Sequence, residues 1–210
     1  MLSVRSDATL LVAFCLLMLT DGISAVTNVT IYYETHCPDS QKLFVNQVIP
    51  ALDLFKSSVL FKLVPYGFAD YRDNNGELSF RCQHGPKECE GNMLHGCAAK
   101  HYANLPENVV RFAACTMRHG VRVLDFVDKC ATLQKFSAAM LRECAAIEGP
   151  HLLRQMGDET TAAAARLFPG RSRFKFIPST FIDEKAYVQE SVNDLQGTIC
   201  RVAVDRPAQC

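Results

Sequence analysis

Ten cysteines in a chain that opens with a secretory-looking leader constrain the fold more tightly than any other feature. Arg5 precedes an apolar run from Ala8 through Leu19, and the small-residue stretch Gly22-Ile23-Ser24-Ala25 follows. Positive charge, hydrophobic core and small-residue cleavage site in that order read as a signal peptide over residues 1–25. At about 12 residues the run is too short to cross about 30 Å of hydrocarbon as a helix. No later segment has the 18 or so uninterrupted apolar residues of a spanning helix. Residues 26–210 are therefore expected to form one domain in the secretory route, where thiols become disulfides.

Parity sharpens this. Cys15 leaves with the leader, and Cys37, Cys82, Cys89, Cys97, Cys115, Cys130, Cys144, Cys200 and Cys210 remain. An odd count means that at least one thiol stays free or pairs between molecules. Composition narrows the partners: Lys+Arg and Asp+Glu both total 22 and no basic tract tracks a phosphate backbone, so no nucleic-acid partner is expected. Trp is absent, so Phe and Tyr must supply the aromatic packing.

Val29 to Tyr33 has the β-branched and aromatic composition of a strand. Pro38 then opens a helix in which Leu43, Phe44, Val48 and Ala51 or Leu52 recur at helical spacing. Val59 to Val64 reads as a second strand, stopped by Pro65-Tyr66-Gly67. Strand, helix and strand make a βαβ unit with a right-handed crossover. After the polar turn Asp73-Asn74-Asn75-Gly76, a mainly helical stretch of about 80–168 carries Cys82, Cys89, Cys97, Cys115, Cys130 and Cys144. Helices are expected over Glu107 to Met117, Val121 to Leu133, Ser137 to Ala146 and Leu152 to Leu167. Phe176 to Asp183 returns to strand composition, Ala186-Tyr187-Val188 can pair with it, and Val192 to Ile199 closes the chain as a helix. The order is that of a thioredoxin-like α/β fold with a disulfide-stapled helical insertion.

Within that order Cys37 is the candidate nucleophile. A cysteine at a helix N-terminus faces unpaired backbone N–H groups and the positive end of the dipole, both of which favour thiolate. Setting Cys37 aside leaves eight cysteines, enough for four bridges; as an alternative Cys37 is itself a structural half-cystine. The motif is Cys37-Pro38-Asp39-Ser40, so the fourth position offers a hydroxyl where a dithiol site has a second sulfur. Asp39 opposes thiolate as a nearby carboxylate while stabilising the first helical turn.

A second constellation is Cys82-Gln83-His84-Gly85-Pro86-Lys87-Glu88-Cys89-Glu90-Gly91-Asn92, closed by Cys97. Three cysteines and a histidine so close together could ligate zinc, but neither C-x-x-C nor H-x-x-x-H spacing is present, and an oxidising compartment favours disulfides. No metal is expected, and His84 reads as a structural or substrate-facing polar residue. Asn28-Val29-Thr30 is a glycosylation sequon at the mouth of the first strand.

The string Cys82-Gln83-His84-Gly85, Glu88-Cys89, Asn92 and Cys97 resembles the signature of the gamma-interferon-inducible lysosomal thiol reductase family at every specified position. Tyr32-Tyr33-Glu34 before Cys37-Pro38, Val64-Pro65-Tyr66-Gly67 and Ile177-Pro178 extend the resemblance over nearly the whole mature chain. It implies a divergent, invertebrate-type member with a thioredoxin-like fold, a glycoprotein of the secreted or lysosomal route that reduces protein disulfides at acidic pH, with an association to host defence. It also implies that Pro178 is held in cis beside Cys37, with Ile177 and Pro178 facing substrate; the residues alone favour a trans proline at a strand edge. The family carries C-x-x-C, whereas Ser40 stands here, so Cys37 inherits the attacking role and nothing inherits the resolving one.

Two functions follow. One is a thiol-disulfide oxidoreductase working on disulfide-containing proteins through Cys37, with no cofactor beyond an external small thiol, weakened by the missing sulfur. The alternative is a secreted or lysosomal binding protein on the same scaffold without turnover. A purely structural saposin-type helical module fits the insertion but not the flanking strands. Cys200 and Cys210 are expected to tie down the C-terminus, with all eight-cysteine connectivities left open, and the sequence does not fix the oligomeric state.

Overall fold

A computed structural model describes residues 26–210. The segment read as a signal peptide, with Cys15, lies outside the described residues.

Strand β1 (Thr27–Tyr33) is the centre of the molecule. It pairs in parallel with β2 (Val59–Pro65), Val29 opposite Phe61, and antiparallel with β5 (Ser179–Ile182), Val29 opposite Ile182. The two-residue strand β6 (Lys185–Ala186) completes a four-stranded sheet in the order β2-β1-β5-β6. Leu60 and Lys62 of β2 point outward, and Phe61 and Leu63 point into the core, the period-2 alternation of a strand. The β1–β2 crossover is helical: α1 (Pro38–Leu43) runs through a π turn at Phe44–Val48 into α2 (Ile49–Phe55). Pro50 has no N–H to close an i→i−4 bond, and the ladder widens just ahead of it. Leu43, Phe44, Val48, Ala51, Leu52 and Phe55 all bury against the sheet.

Between β2 and β5 lies a hairpin, β3 (Asp70–Asn74) with β4 (Glu77–Arg81), and then five helices: α3 (Pro86–His101), α4 (Pro106–Met117), α5 (Val127–Leu133), α6 (Ala138–Ile147) and α7 (Gly149–Leu167). Cys97–Cys144 joins α3 to α6, and Cys115–Cys130 joins α4 to α5. Helix α8 (Val188–Val202) packs back on the sheet, and Cys200–Cys210 ties the last residues to it.

Several elements depart from the sequence expectation. The polar turn at Asp73–Gly76 closes the hairpin β3–β4, which was not foreseen. Val121 to Leu133 is not one helix: Gly120–Phe126 is 3-10, because Arg122 leaves helical geometry at φ −95°, ψ 22°, and α5 starts only at Val127. The return strand starts at Ser179, not Phe176, and the Ile177–Pro178 peptide is cis, against the trans proline that the residues alone favour.

Candidate active site

Cys37 is the N-cap of α1, directly ahead of Pro38, and the first backbone bond of the helix runs from Gln41 N–H to its carbonyl at 3.0 Å. The side chain is 8% exposed, and its Sγ donates to the carbonyl of Ile177 at 3.7 Å. Thus the thiol faces the backbone just before the cis Pro178, beneath Tyr32, Phe174 and Phe181. The Ile177 side chain is itself buried, so any contact with a substrate from this residue is through its backbone. Ser40 is fully buried, and its Oγ accepts from the Glu34 N–H at 3.4 Å. Asp39 is half-buried and pairs with Lys42 at 3.7 Å. Among the described residues Cys37 is the one cysteine outside a disulfide.

The signature residues converge on the loop that carries Cys37. Gly85 takes φ 93°, which suits a residue without Cβ, and Pro86 opens α3 behind it. Cys82–Cys89 closes the turn over the first residues of α3. From there Glu88 and Asn92, four residues apart, face the loop 34–37 from one side of the helix. Asn92 Oδ1 accepts from Thr35 N–H at 3.0 Å and from Thr35 Oγ1 at 2.9 Å, while Thr35 Oγ1 also lies 3.3 Å from the Glu88 carbonyl. Gly91 is where Thr35 sits, since an added Cβ would lie 2.6 Å from its hydroxyl. Gln83 is exposed and touches none of this.

Glu88 is buried and accepts twice from His84, from the backbone N–H at 3.0 Å and from Nδ1 at 2.6 Å. His84 is thus held structurally over the cluster. Its Nδ1 is also 3.7 Å from Oε2 of Glu34, a second fully buried carboxyl. Glu34 Oε1 accepts from Phe68 N–H at 2.6 Å. Burial first, and then the Glu88 charge, push the Glu34 carboxyl up to about 8, against the lowering effect of that N–H. His36, also buried, is held below the usual histidine range mainly by burial. On the other side of β1, His95 accepts or donates at Nδ1 to Tyr33 Oη (2.9 Å) and at Nε2 to Thr116 Oγ1 (2.8 Å). Thr116 lies 2.9 Å from the Ala113 carbonyl, so its hydroxyl donates there, Nε2–H donates to Thr116, and Tyr33 donates to Nδ1. Burial drives the His95 pKa down to about 3.

Two groups of described residues bring three metal-ligating side chains together: Glu34 with His84 and Glu88, and His101 with Cys144 and Glu148. Cys144 is committed to a disulfide. In the first group His84 and Glu88 already satisfy each other through a proton.

The gamma interferon inducible lysosomal thiol reductase (GILT) family model matches residues 28–134, from β1 through α5, and so includes Cys37 and the whole signature. GILT-like protein 1 of Drosophila melanogaster is 32% identical over 94% of this chain and 85% of its own length. The chain belongs to the GILT family. The GILT-like relative of Anopheles gambiae is 28% identical over 87% of the chain and 79% of its own. Membership makes a thiol-disulfide oxidoreductase the general chemistry of the GILT scaffold. Two solved structures share its fold at low identity: Chlamydia trachomatis DsbA (TM-score 0.55, 12% identical, 84% of this chain and 85% of that one) and MdbA of Corynebacterium diphtheriae (TM-score 0.55, 11%, 83% of each). The thioredoxin-like fold read from element order is the fold of the GILT chain.

Sequence reasoning quoted Glu34 only within the resemblance, with no role, and passed over His36 and His95. Each is a polar residue in an otherwise apolar or turn-like setting, and a buried polar group leaves no periodic signal. Glu34 beside Gly67 could have been found, because a glycine at φ 59° in a Pro-Tyr-Gly turn invites something to pack against it.

Proposed function

We propose that this chain reduces protein disulfides through Cys37 alone. The Cys37 thiolate attacks one sulfur of a substrate disulfide, forming a mixed disulfide and releasing the other substrate sulfur as thiolate. A small external thiolate then attacks Cys37 Sγ, frees the second substrate sulfur and leaves a mixed disulfide on Cys37. A second small thiol regenerates Cys37, so two small thiols become one small disulfide per substrate disulfide reduced. A second substrate cysteine can take the place of the external thiol, which makes the outcome disulfide exchange. The backbone at Ile177–Pro178 would align an extended substrate strand beside Sγ. The remaining signature residues act structurally, and the compartment is the secreted or lysosomal route, with Asn28 on the exposed rim of β1 as the glycan site. A role in host defence is part of this reading and rests on the resemblance read from the sequence.

The observation that carries the reading is the free Cys37 at a helix N-terminus, 3.7 Å from the carbonyl that precedes a cis proline. The second reading, a binding protein without turnover, is favoured by Ser40, a buried hydroxyl where a resolving thiol would stand. The test is reduction of a denatured disulfide-bonded protein at about pH 5 and about pH 7 with excess small thiol. Wild type is expected to exceed Cys37→Ser, and Ser40→Cys to exceed both. Equality of wild type and Cys37→Ser would leave the binding reading.

A further inference from the structure

Glu34 does more than fill space. Its carbonyl accepts from Cys37 N–H at 3.3 Å and its own N–H meets Ser40 Oγ, so its backbone is part of the turn that aims the nucleophile. Its carboxyl is wedged where Gly67 has no side chain, and a Cβ there would collide with it. Oε1 is used by Phe68 N–H, whereas Oε2 is buried without a partner atom in hydrogen-bond range. Oε2 nevertheless faces other titratable groups: His84 Nδ1 lies 3.7 Å from it, a carboxylate oxygen of Glu34, one of Glu88 and a ring nitrogen of His84 all lie within 4.8 Å of one another, and His36 feels the charges of Glu88, His84 and Lys87. Two buried carboxylates that close cannot both be ionised without a large cost, so the cluster retains a proton. His84, the one member partly open to water, is already hydrogen-bonded to Glu88.

We infer that Glu34 is a positioning residue for Cys37, and that the proton kept on its carboxyl holds the loop Glu34–Cys37 docked against Gly67 and α3. When the proton leaves, the charge on Glu34 faces Glu88 inside the protein, and the turn relieves it by moving toward water. Burial-driven elevation of this carboxyl places that event above neutrality. The reactivity of Cys37 should then fall, against the rise that thiolate formation alone would give. This inference deepens the proposed reductase reading, but it is tested without turnover.

The experiment is alkylation of Cys37 by iodoacetamide, in which the S–C bond forms as iodide leaves, between about pH 5 and about pH 9. Wild type and Glu34→Gln are compared at each pH, so that the thiolate fraction divides out. Gln keeps the shape and cannot ionise. The ratio of wild-type to variant rate is expected to fall on the order of tenfold across the range, and a ratio constant with pH would overturn the inference. Infrared spectroscopy of the wild type covers the case in which the variant does not fold: a protonated buried carboxylic acid should persist at about pH 6, and its absence there would also overturn the inference. Addition of EDTA or zinc should leave both readouts unchanged; a metal-dependent rate would make the cluster a cation site and overturn the proton role. Failure of the reductase assay with success here would leave Glu34 positioning a cysteine that does not turn over.

Discussion

Tyr33 and Glu34 are neighbours in the chain, yet they enter two buried polar sites with opposite responses to acid. Tyr33 ends β1 facing the core and holds a neutral His95; Glu34 faces the turn and keeps a neutral carboxyl beside Glu88 and His84. Glu88 and His95 both stand on α3, so one helix forms a wall of each site. The pH signs differ. The Glu34 carboxyl is raised from 4.5 to about 8, so its folded state holds an extra proton between those values, and the stability it contributes is complete below 4.5 and lost as pH rises toward 8. His95 is lowered from 6.5 to about 3, so its contribution is complete above 6.5 and lost as pH falls toward 3. From 4.5 to 6.5 the two slopes cancel. A fold with either site alone would have a one-sided pH profile; with both, these two groups give a level stretch through the mildly acidic range.

The disulfides offer the largest way to break this comparison. Cys97–Cys144 spans 47 residues and locks α3 two positions beyond His95, whereas Cys82–Cys89 spans 7 and locks only the His84 turn. Loop-closure entropy sets their worth at about 4 and about 2 kcal/mol respectively. The Cys97→Ala/Cys144→Ala pair should therefore lose more stability in urea, and the Cys82→Ala/Cys89→Ala pair should lose more Cys37 alkylation rate. Equal losses on both readouts would mean that the two sites are not separable regions.

Next come the pH limbs. Outside the level stretch each site changes stability by about 1.4 kcal/mol per pH unit, which is about 2 kcal/mol over 1.5 units on either side. Glu34→Gln should flatten the fall between about pH 6.5 and 8 and spare the acid side. His95→Gln should flatten the fall between about pH 4.5 and 3 and spare the alkaline side. Urea midpoints across pH read both limbs, and a variant that moved the wrong limb would refute the assignment of signs.

Much of this architecture was legible in the residues. Val29–Tyr33, Cys37-Pro38 and Val59–Val64 carry their elements in local composition, and the odd cysteine count singled out a free thiol because disulfides must come in pairs. Helix α3 was not legible as a cradle. Its buried residues mix the polar Glu88, Asn92 and His95 with Cys89, Leu94, Cys97 and Ala98, so apolar and hydrogen-bonded polar groups share the buried surface and no clean apolar stripe marks it. The hairpin β3–β4 was missed for a related reason: β3 is a polar run, Asp70-Tyr71-Arg72-Asp73-Asn74, and the five residues of β4 that do alternate, with Leu78 and Phe80 turned in, are too few to stand out alone. The disulfide partners were equally hidden, because Cys97 and Cys144 meet only once α3 and α6 pack.

The smallest expected effect is at Ser40, and it sharpens the comparison from within the site. The hydroxyl accepts one long bond, 3.4 Å from Glu34 N, so Ser40→Ala should cost no more than about 1 kcal/mol in urea unfolding. If Ser40 lacks any chemical role, Ser40→Ala should reduce substrate at the wild-type rate when external thiol is in excess, because release already depends on that thiol. Its Cys37 alkylation profile should also keep the wild-type dependence on pH, since the carboxyl of Glu34 is untouched. A tenfold loss of reduction with folding intact would show the hydroxyl assisting the exchange at Cys37. The fourth position of the motif would then be a working part of the site, and the two sides of β1 would differ in chemistry as well as in charge.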